Sequence, residues 1–185
     1  MRRLITNIIS VLWTMPRMLL KKIALGKNFH SSPVERISPN VVLEFSRGAK
    51  VTLGHQVRIH SGSKLKVRKG AELSIGSGVK INYNFMLFCQ TGISIGEGTE
   101  FGPNVCVYDH DHDYRSGLKN GLFLKTPVSI GRNCWIGADV VILRGSVIGD
   151  NCVIGAGSIV KGNIPANSVV YQKRETVIFP QEAQE

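Results

Sequence analysis

Through the last third of this 185-residue chain an aliphatic side chain returns every sixth residue: Ile130, Ile136, Ile142, Ile148, Ile154 and Val160. Gly131, Gly137, Gly149 and Gly155 follow four of the six. A period of six is neither the alternation of a half-buried strand nor the turn of a helix, so the repeating unit is a short strand plus a corner. Three units close a triangular coil of 18 residues. The sequence carries that longer period too, since Asn133 and Asn151, Cys134 and Cys152, and Ile136 and Ile154 recur 18 apart. These spacings predict an all-β chain folded as a parallel β-helix. Stacked strands lie about 4.8 Å apart, aliphatic residues share one core, and glycine relieves the tight corner.

The frame runs backwards with interruptions. Ile95, Phe101 and Val107 lead three hexads, Ile75, Ile81 and Leu87 lead three more, and Leu53, Val57 and Ile59 mark an earlier start. Phase shifts near residues 60–72 and 90–94 read as small bulges at corners. Residues 108–126, YDHDHDYRSGLKNGLFLKT, fit no hexad and leave the coil as a loop. A loop pushed out by a rigid scaffold is where function tends to sit. The organisation that follows is an N-terminal segment, 1–30, a repeat domain, 31–170, and a tail, 171–185.

Hydrophobic residues make up 43% of the chain, enough to fill one repeat core. Cys89, Cys106, Cys134 and Cys152 form neither a secreted disulfide pattern nor a Cys-x-x-Cys site, and read as small buried hydrophobes in a reducing cytoplasm. The net charge is +10, of which residues 1–30 supply +6 with no acidic residue. Within them Leu4, Ile5, Ile8, Ile9 and Leu12 form one helical stripe, with Trp13 beside it and Pro16 expected to end or kink the helix. Polar residues interrupt the stretch too often for a membrane span, and no small-residue site suggests a cleaved signal. Two readings stay open. Residues 1–25 are a basic amphipathic helix lying on the inner face of the cell membrane, or a helix packed over the open end of the coil or between subunits. Nucleic acid is not an expected partner, because no basic groove interleaved with aromatics is present.

The loop opens with Asp109, His110, Asp111, His112 and Asp113. A neutral imidazole is the usual general base near neutral pH, and a flanking carboxylate can orient it. The competing readings are a solvated polar loop and a zinc site. Two histidines one residue apart are a weak metal signal, and His30, His55 and His60 lie several coils away, so no metal is expected.

The hexads, the histidine loop and the block PVSIGRNCWIGADVVILRGSVIGDNCVIGAGSIVKGNIPANSVV resemble the left-handed β-helix hexapeptide-repeat acyltransferases. Galactoside and maltose O-acetyltransferases and the O-acetyltransferases of capsule and O-antigen synthesis are the members most similar. The resemblance is strong over residues 75–170 and does not reach the N-terminal segment. It implies a left-handed coil, a homotrimer with sites in clefts between neighbouring coils, and acetyl-CoA as donor. Position by position, it implies that His110 is the general base and that Asn82 helps hold the acceptor or thioester. Asn84, His112 and Asp109 stand near the acceptor. It also implies that Trp135 packs on the acetyl-CoA arm and that Ala138, Ala156 and Lys161 line the pantetheine track. Past Ser168 the chain departs from these relatives; by charge alone, Lys173 and Arg174 are phosphate partners for CoA. The expected activity is transfer of acetyl to a sugar hydroxyl in a surface polysaccharide. The alternatives are an N-acetyltransferase of an amino sugar, a γ-carbonic-anhydrase-like zinc protein, and a binding module on the same coil.

Overall fold

The computed structural model describes residues 2–32, 35–116, 121–173 and 175. A long helix, α1 (Arg2–Leu25), leads through a 3-10 turn into a left-handed parallel β-helix of about six turns. Coil one is β1 (Phe29–His30), β2 (Arg36–Ile37) and β3 (Val42–Phe45). Coil two is β4 (Lys50–Leu53), β5 (Arg58–Ile59) and β6 (Lys64–Val67), and coil three is β7 (Glu72–Ile75), β8 (Lys80–Ile81) and β9 (Met86–Cys89). Coil four, β10 (Gly92–Ile95), β11 (Glu100–Phe101) and β12 (Cys106–Tyr108), ends where the loop leaves as a hairpin of β13 (His110–His112) and β14 (Phe123–Lys125). The chain re-enters as β15 (Val128–Ile130), β16 (Trp135–Ile136) and β17 (Val141–Ile142), then β18 (Val147–Ile148), β19 (Val153–Ile154) and β20 (Ile159–Val160). It finishes the described solenoid with β21 (Asn163–Ile164) and β22 (Val169–Val170).

Three parallel sheets make the faces of the prism. The first stacks β1-β4-β7-β10-β15-β18-β21, the second β2-β5-β8-β11-β16-β19-β22, and the third β3-β6-β9-β12-β17-β20. Each strand sends alternate residues into the core, so that Ile37, Ile59, Ile81, Phe101, Ile136 and Ile154 form one buried column on the second face. Cys134 and Cys152 are buried in the inward line beside it, their thiols donating to the Gly149 and Pro165 carbonyls, each at 3.1 Å.

The 18-residue coil holds only where it is most visible in the sequence, from Ser129 to Val160. Val51 stacks on Leu73, 22 residues on, and Leu73 on Ile93, 20 residues on. The phase shifts near residues 60–72 and 90–94 are therefore not corner bulges. Near 60–72 the strands on the first and third faces are lengthened from two residues to four, as in Lys64–Val67 and Glu72–Ile75, and near 90–94 the corner between Cys89 and Gly92 is two residues shorter than the one between Val67 and Glu72. Adding two residues keeps the inward alternation, so Leu65 and Val67 are both buried. The coil also starts earlier than the hexads suggest, since Phe29 already pairs with Val51.

The glycine that follows each inward aliphatic has a cause other than a left-handed corner. A Cβ on Gly96 would lie 2.5 Å from the backbone nitrogen of Arg132, and one on Gly131 2.5 Å from the carbonyl carbon of Gly149. Close approach of successive coils excludes a side chain there. The left-handed corners themselves often carry asparagine: Asn84, Asn104 and Asp139, with φ of 59°, 59° and 57°, stack as a ladder joined by amide hydrogen bonds of 3.1 and 3.0 Å.

Helix α1 runs through Pro16 rather than ending at it. It is held on both sides of the proline. The Thr14 hydroxyl accepts the Ile37 N–H at 3.2 Å, and the Arg17 guanidinium donates to the Ser38 and Val41 carbonyls. No helix among the described residues is long and apolar enough to cross a membrane.

Candidate active site

The third face sets the geometry. Tyr108 is the last paired residue of β12, opposite Phe88. One step further Asp109 takes the inward position beyond Cys89, and its carboxylate is completely buried. Buried carboxylates need donors, and the corner of the preceding coil supplies them. Gln90 N–H reaches Oδ1 at 2.8 Å, while the N–H groups of Thr91 and Gly92 reach Oδ2 at 2.6 and 2.8 Å. The fourth partner is the Nδ1 of His110, 3.0 Å from Oδ1. Because the carboxylate only accepts, Nδ1 carries the proton and Nε2 presents its lone pair.

The His110 side chain is only 14% exposed. Phe123 across the hairpin meets the ring edge-on at a centroid distance of 5.3 Å. Both histidines lie on the same side of β13, while Asp111 points the other way and accepts the Arg144 Nε–H at 2.7 Å. That bond and the Thr126 N–H donated to the Asp109 carbonyl at 2.9 Å fix the hairpin to the coil. His112 is more exposed, and its ring leans on Phe123 at 4.6 Å.

Two cavities flank the hairpin. One, of about 200 Å³, is lined by Lys66, Arg68, Phe88, Gln90, His110 and Phe123. The other, of about 700 Å³, is lined by Asp111, His112, Arg115, Leu124, Arg144 and Lys161. Cys89 lines the smaller cavity, but burial and the adjacent Asp109 carboxylate push its thiol far up, so it is no thiolate nucleophile.

The residues expected at the site are not all brought together within one chain. Asp109, His110 and His112 stand at the edge between the third and first faces, with Lys161 in the larger cavity beside them. Asn82, Asn84, Ala138 and Ala156 stand at the corner between the second and third faces, and Trp135, 60% exposed, on the second face itself. Asn82 Oδ1 accepts the Tyr83 N–H at 2.9 Å. Asn84 is a rung of the asparagine ladder. Asp109, expected near the acceptor, has its oxygens filled by backbone donors and His110. Lys173 is exposed in the tail, and Arg174 lies outside the described residues. Lys66, Arg68, Gln90 and Phe123 are additions that hexad counting misses. Counting back from His110 by the true coil lengths of 20 and 22 lands on Gln90 and Arg68.

Residues 127–162 match the family described as bacterial transferase hexapeptide (six repeats). The repeat is that of the hexapeptide transferases. The galactoside O-acetyltransferase of Escherichia coli (strain K12) is 44% identical over 89 residues, 48% of this chain and 44% of the relative. WbbJ of the same strain, named provisionally as a lipopolysaccharide biosynthesis O-acetyl transferase, is 30% identical over 105 residues, 50% of this chain and 52% of its own. The chain thus spans about half the length of these relatives. Among solved structures, AntD, an N-acyltransferase from Bacillus cereus in complex with dTDP-4-amino-4,6-dideoxyglucose and coenzyme A, superposes with a TM-score of 0.66 at 25% identity, covering 83% of this chain and 82% of that one. The proteins so matched include both O-acetyltransferases and an N-acyltransferase.

Proposed function

We propose that this hexapeptide-repeat protein transfers an acetyl group from acetyl-CoA to a sugar hydroxyl, in a surface polysaccharide or its precursor, with His110 as the general base. The observation that carries the reading is the Asp109–His110 pair, 3.0 Å apart, at the root of the hairpin beside a polar cavity. Nε2 of His110 takes the proton as the acceptor oxygen attacks the thioester carbonyl. The C–S bond then breaks, and the departing CoA thiolate takes that proton back from Nε2, so oxygen, sulfur and proton balance with no covalent enzyme intermediate. The developing oxyanion needs a donor, and the Asn82 amide is our assignment for it. Lys66, Arg68 and Gln90 around the smaller cavity offer a hydroxyl-rich acceptor several hydrogen-bond donors. Arg115, Arg144 and Lys161 give the larger cavity the positive charge that CoA phosphates require.

A nucleotide-linked amino sugar is the second acceptor class, favoured by the superposition on AntD over four-fifths of both chains. The 44% identity to a galactoside O-acetyltransferase favours the hydroxyl. Release of CoA thiol in the presence of hydroxyl sugars and amino sugars separates the two. With the preferred acceptor, His110→Ala is expected to lower kcat by about two to four orders of magnitude with the thermal unfolding curve unchanged. A variant that turns over like the wild type removes His110 from the mechanism, and a larger loss in His112→Ala transfers the role there.

A further inference from the structure

Helix α1 is docked the wrong way round for a simple cap. Apart from Met18 and Leu25, which are buried in the core, its side chains that meet the coil are polar: Ser10 and Thr14 are buried, Arg17 donates to two carbonyls, Lys21 lies over the Phe45 ring, and Lys22 donates to the Phe29 carbonyl at 2.9 Å. The outward side carries Ile8, Ile9, Leu12, Trp13, Met15, Leu19, Leu20 and Ile23, each at least half exposed. At about 100° per residue those eight fall within an arc of roughly 160°, a continuous apolar face. An apolar face of this extent marks an interaction site. Beside it, Met15, Met18, Leu19, Lys22 and His30 border a groove of about 360 Å³.

Charge identifies the occupant. Residues 1–80, the helix and the coils nearest to it, hold fifteen Lys and Arg against three acidic residues, whereas residues 81–185 hold eight against ten. The prism is therefore strongly basic at its helix end and slightly acidic over the remainder. A second copy meeting this end would bring two like-charged surfaces together. A bilayer rich in anionic headgroups matches both properties, since it buries the apolar arc and neutralises the cations around it. We propose that the outward face of α1 docks this protein onto an anionic lipid surface, with the helix lying in the plane of the interface. The inference is independent of the acetyl-transfer reading.

The test is co-sedimentation of the full chain with vesicles. With phosphatidylcholine containing phosphatidylglycerol, binding is expected, at least about tenfold tighter than with phosphatidylcholine alone and weakened by added salt. The variant combining Leu12→Ser, Leu19→Ser and Ile23→Ser is expected to lose at least about tenfold in vesicle affinity. Its far-UV circular dichroism and sedimentation coefficient without lipid should stay as in the wild type. A wild-type protein that ignores anionic vesicles, or a variant that binds them equally well, overturns the proposal. So does a variant that sediments as a smaller species, which assigns the face to contact between copies.

Discussion

Asp109 shows how a single side chain determines what its neighbour can do. Its carboxylate accepts three backbone N–H groups from Gln90, Thr91 and Gly92 as well as His110 Nδ1. In Asp109→Asn one oxygen becomes an NH2 that must face a donor already in place, leaving a buried hydrogen-bonding group unpaired at a cost of about 1–3 kcal/mol. The amide can also hold His110 in the other tautomer, with Nε2 protonated and useless as a base. We expect kcat to fall by about a hundredfold or more, the KM for acetyl-CoA to stay within about twofold, and the unfolding midpoint to drop. Full turnover in a destabilised protein would show that Asp109 serves only the corner. The histidine was legible in the sequence because it opens the one segment that breaks the hexads. Its orienting partner was not, because five carboxylates and imidazoles alternate there. Only the donors 17 to 19 residues upstream distinguish Asp109 from Asp111 and Asp113.

Among the elements, the two-residue strands of the last coils were readable as hexads because each unit has the same length. The four-residue strands of the early coils hid behind shifting offsets, although their inward alternation was intact. Helix α1 was legible as amphipathic, but not which side it would turn inward. Hydrophobicity alone predicts the reverse of what the Thr14, Arg17 and Lys22 hydrogen bonds achieve. The first coil beneath it contains a further surprise, Glu35. This residue occupies the inward line held by Val57 one coil on, just before β2, which packs against α1. It is fully buried, its Oε2 accepts the Val57 N–H at 2.6 Å, and Oε1 has no partner among the described residues. Burial pushes its carboxyl up to about 7, opposed by the backbone N–H groups of Val57 and Ser32. The unfolded chain releases this proton near pH 4.3 and the folded chain holds it longer. The stabilisation is therefore complete below about pH 4.3 and is lost as pH rises to about 7, to the extent of about 3 kcal/mol. Glu35→Gln keeps an oxygen for Val57 and has no proton to release. Thermal unfolding from pH 4 to 8 should show the wild type losing stability relative to the variant across that window. Parallel profiles would mean that Glu35 does not titrate in the folded state.

Taken as one body, the prism presents its two candidate half-sites on different edges. The oriented imidazole of His110 lies where the third face turns into the first, while Asn82, Ala138, Ala156 and the Trp135 indole lie along the second face and its far corner. No movement of one rigid coil brings them together; a ring of three in which each chain laid its His110 edge against its neighbour's Trp135 face would. We propose that arrangement for the active assembly, and it makes a quantitative prediction. Chains carrying His110→Ala retain a sound donor wall, and chains carrying Trp135→Ala retain a sound base. When the two are co-expressed in equal amounts and assort at random, about one interface in four combines an intact histidine from one chain with an intact tryptophan from the next. Acetyl transfer measured at acetyl-CoA concentrations below KM should recover to about a quarter of the wild-type rate, although each variant alone is nearly inactive under those conditions. If the base and the donor wall served one site within a single chain, every chain in the mixture would carry a defect and activity would stay at the level of the separate variants. Sedimentation of the mixture as trimers, with no recovery, would reject the shared cleft while leaving the assembly itself intact.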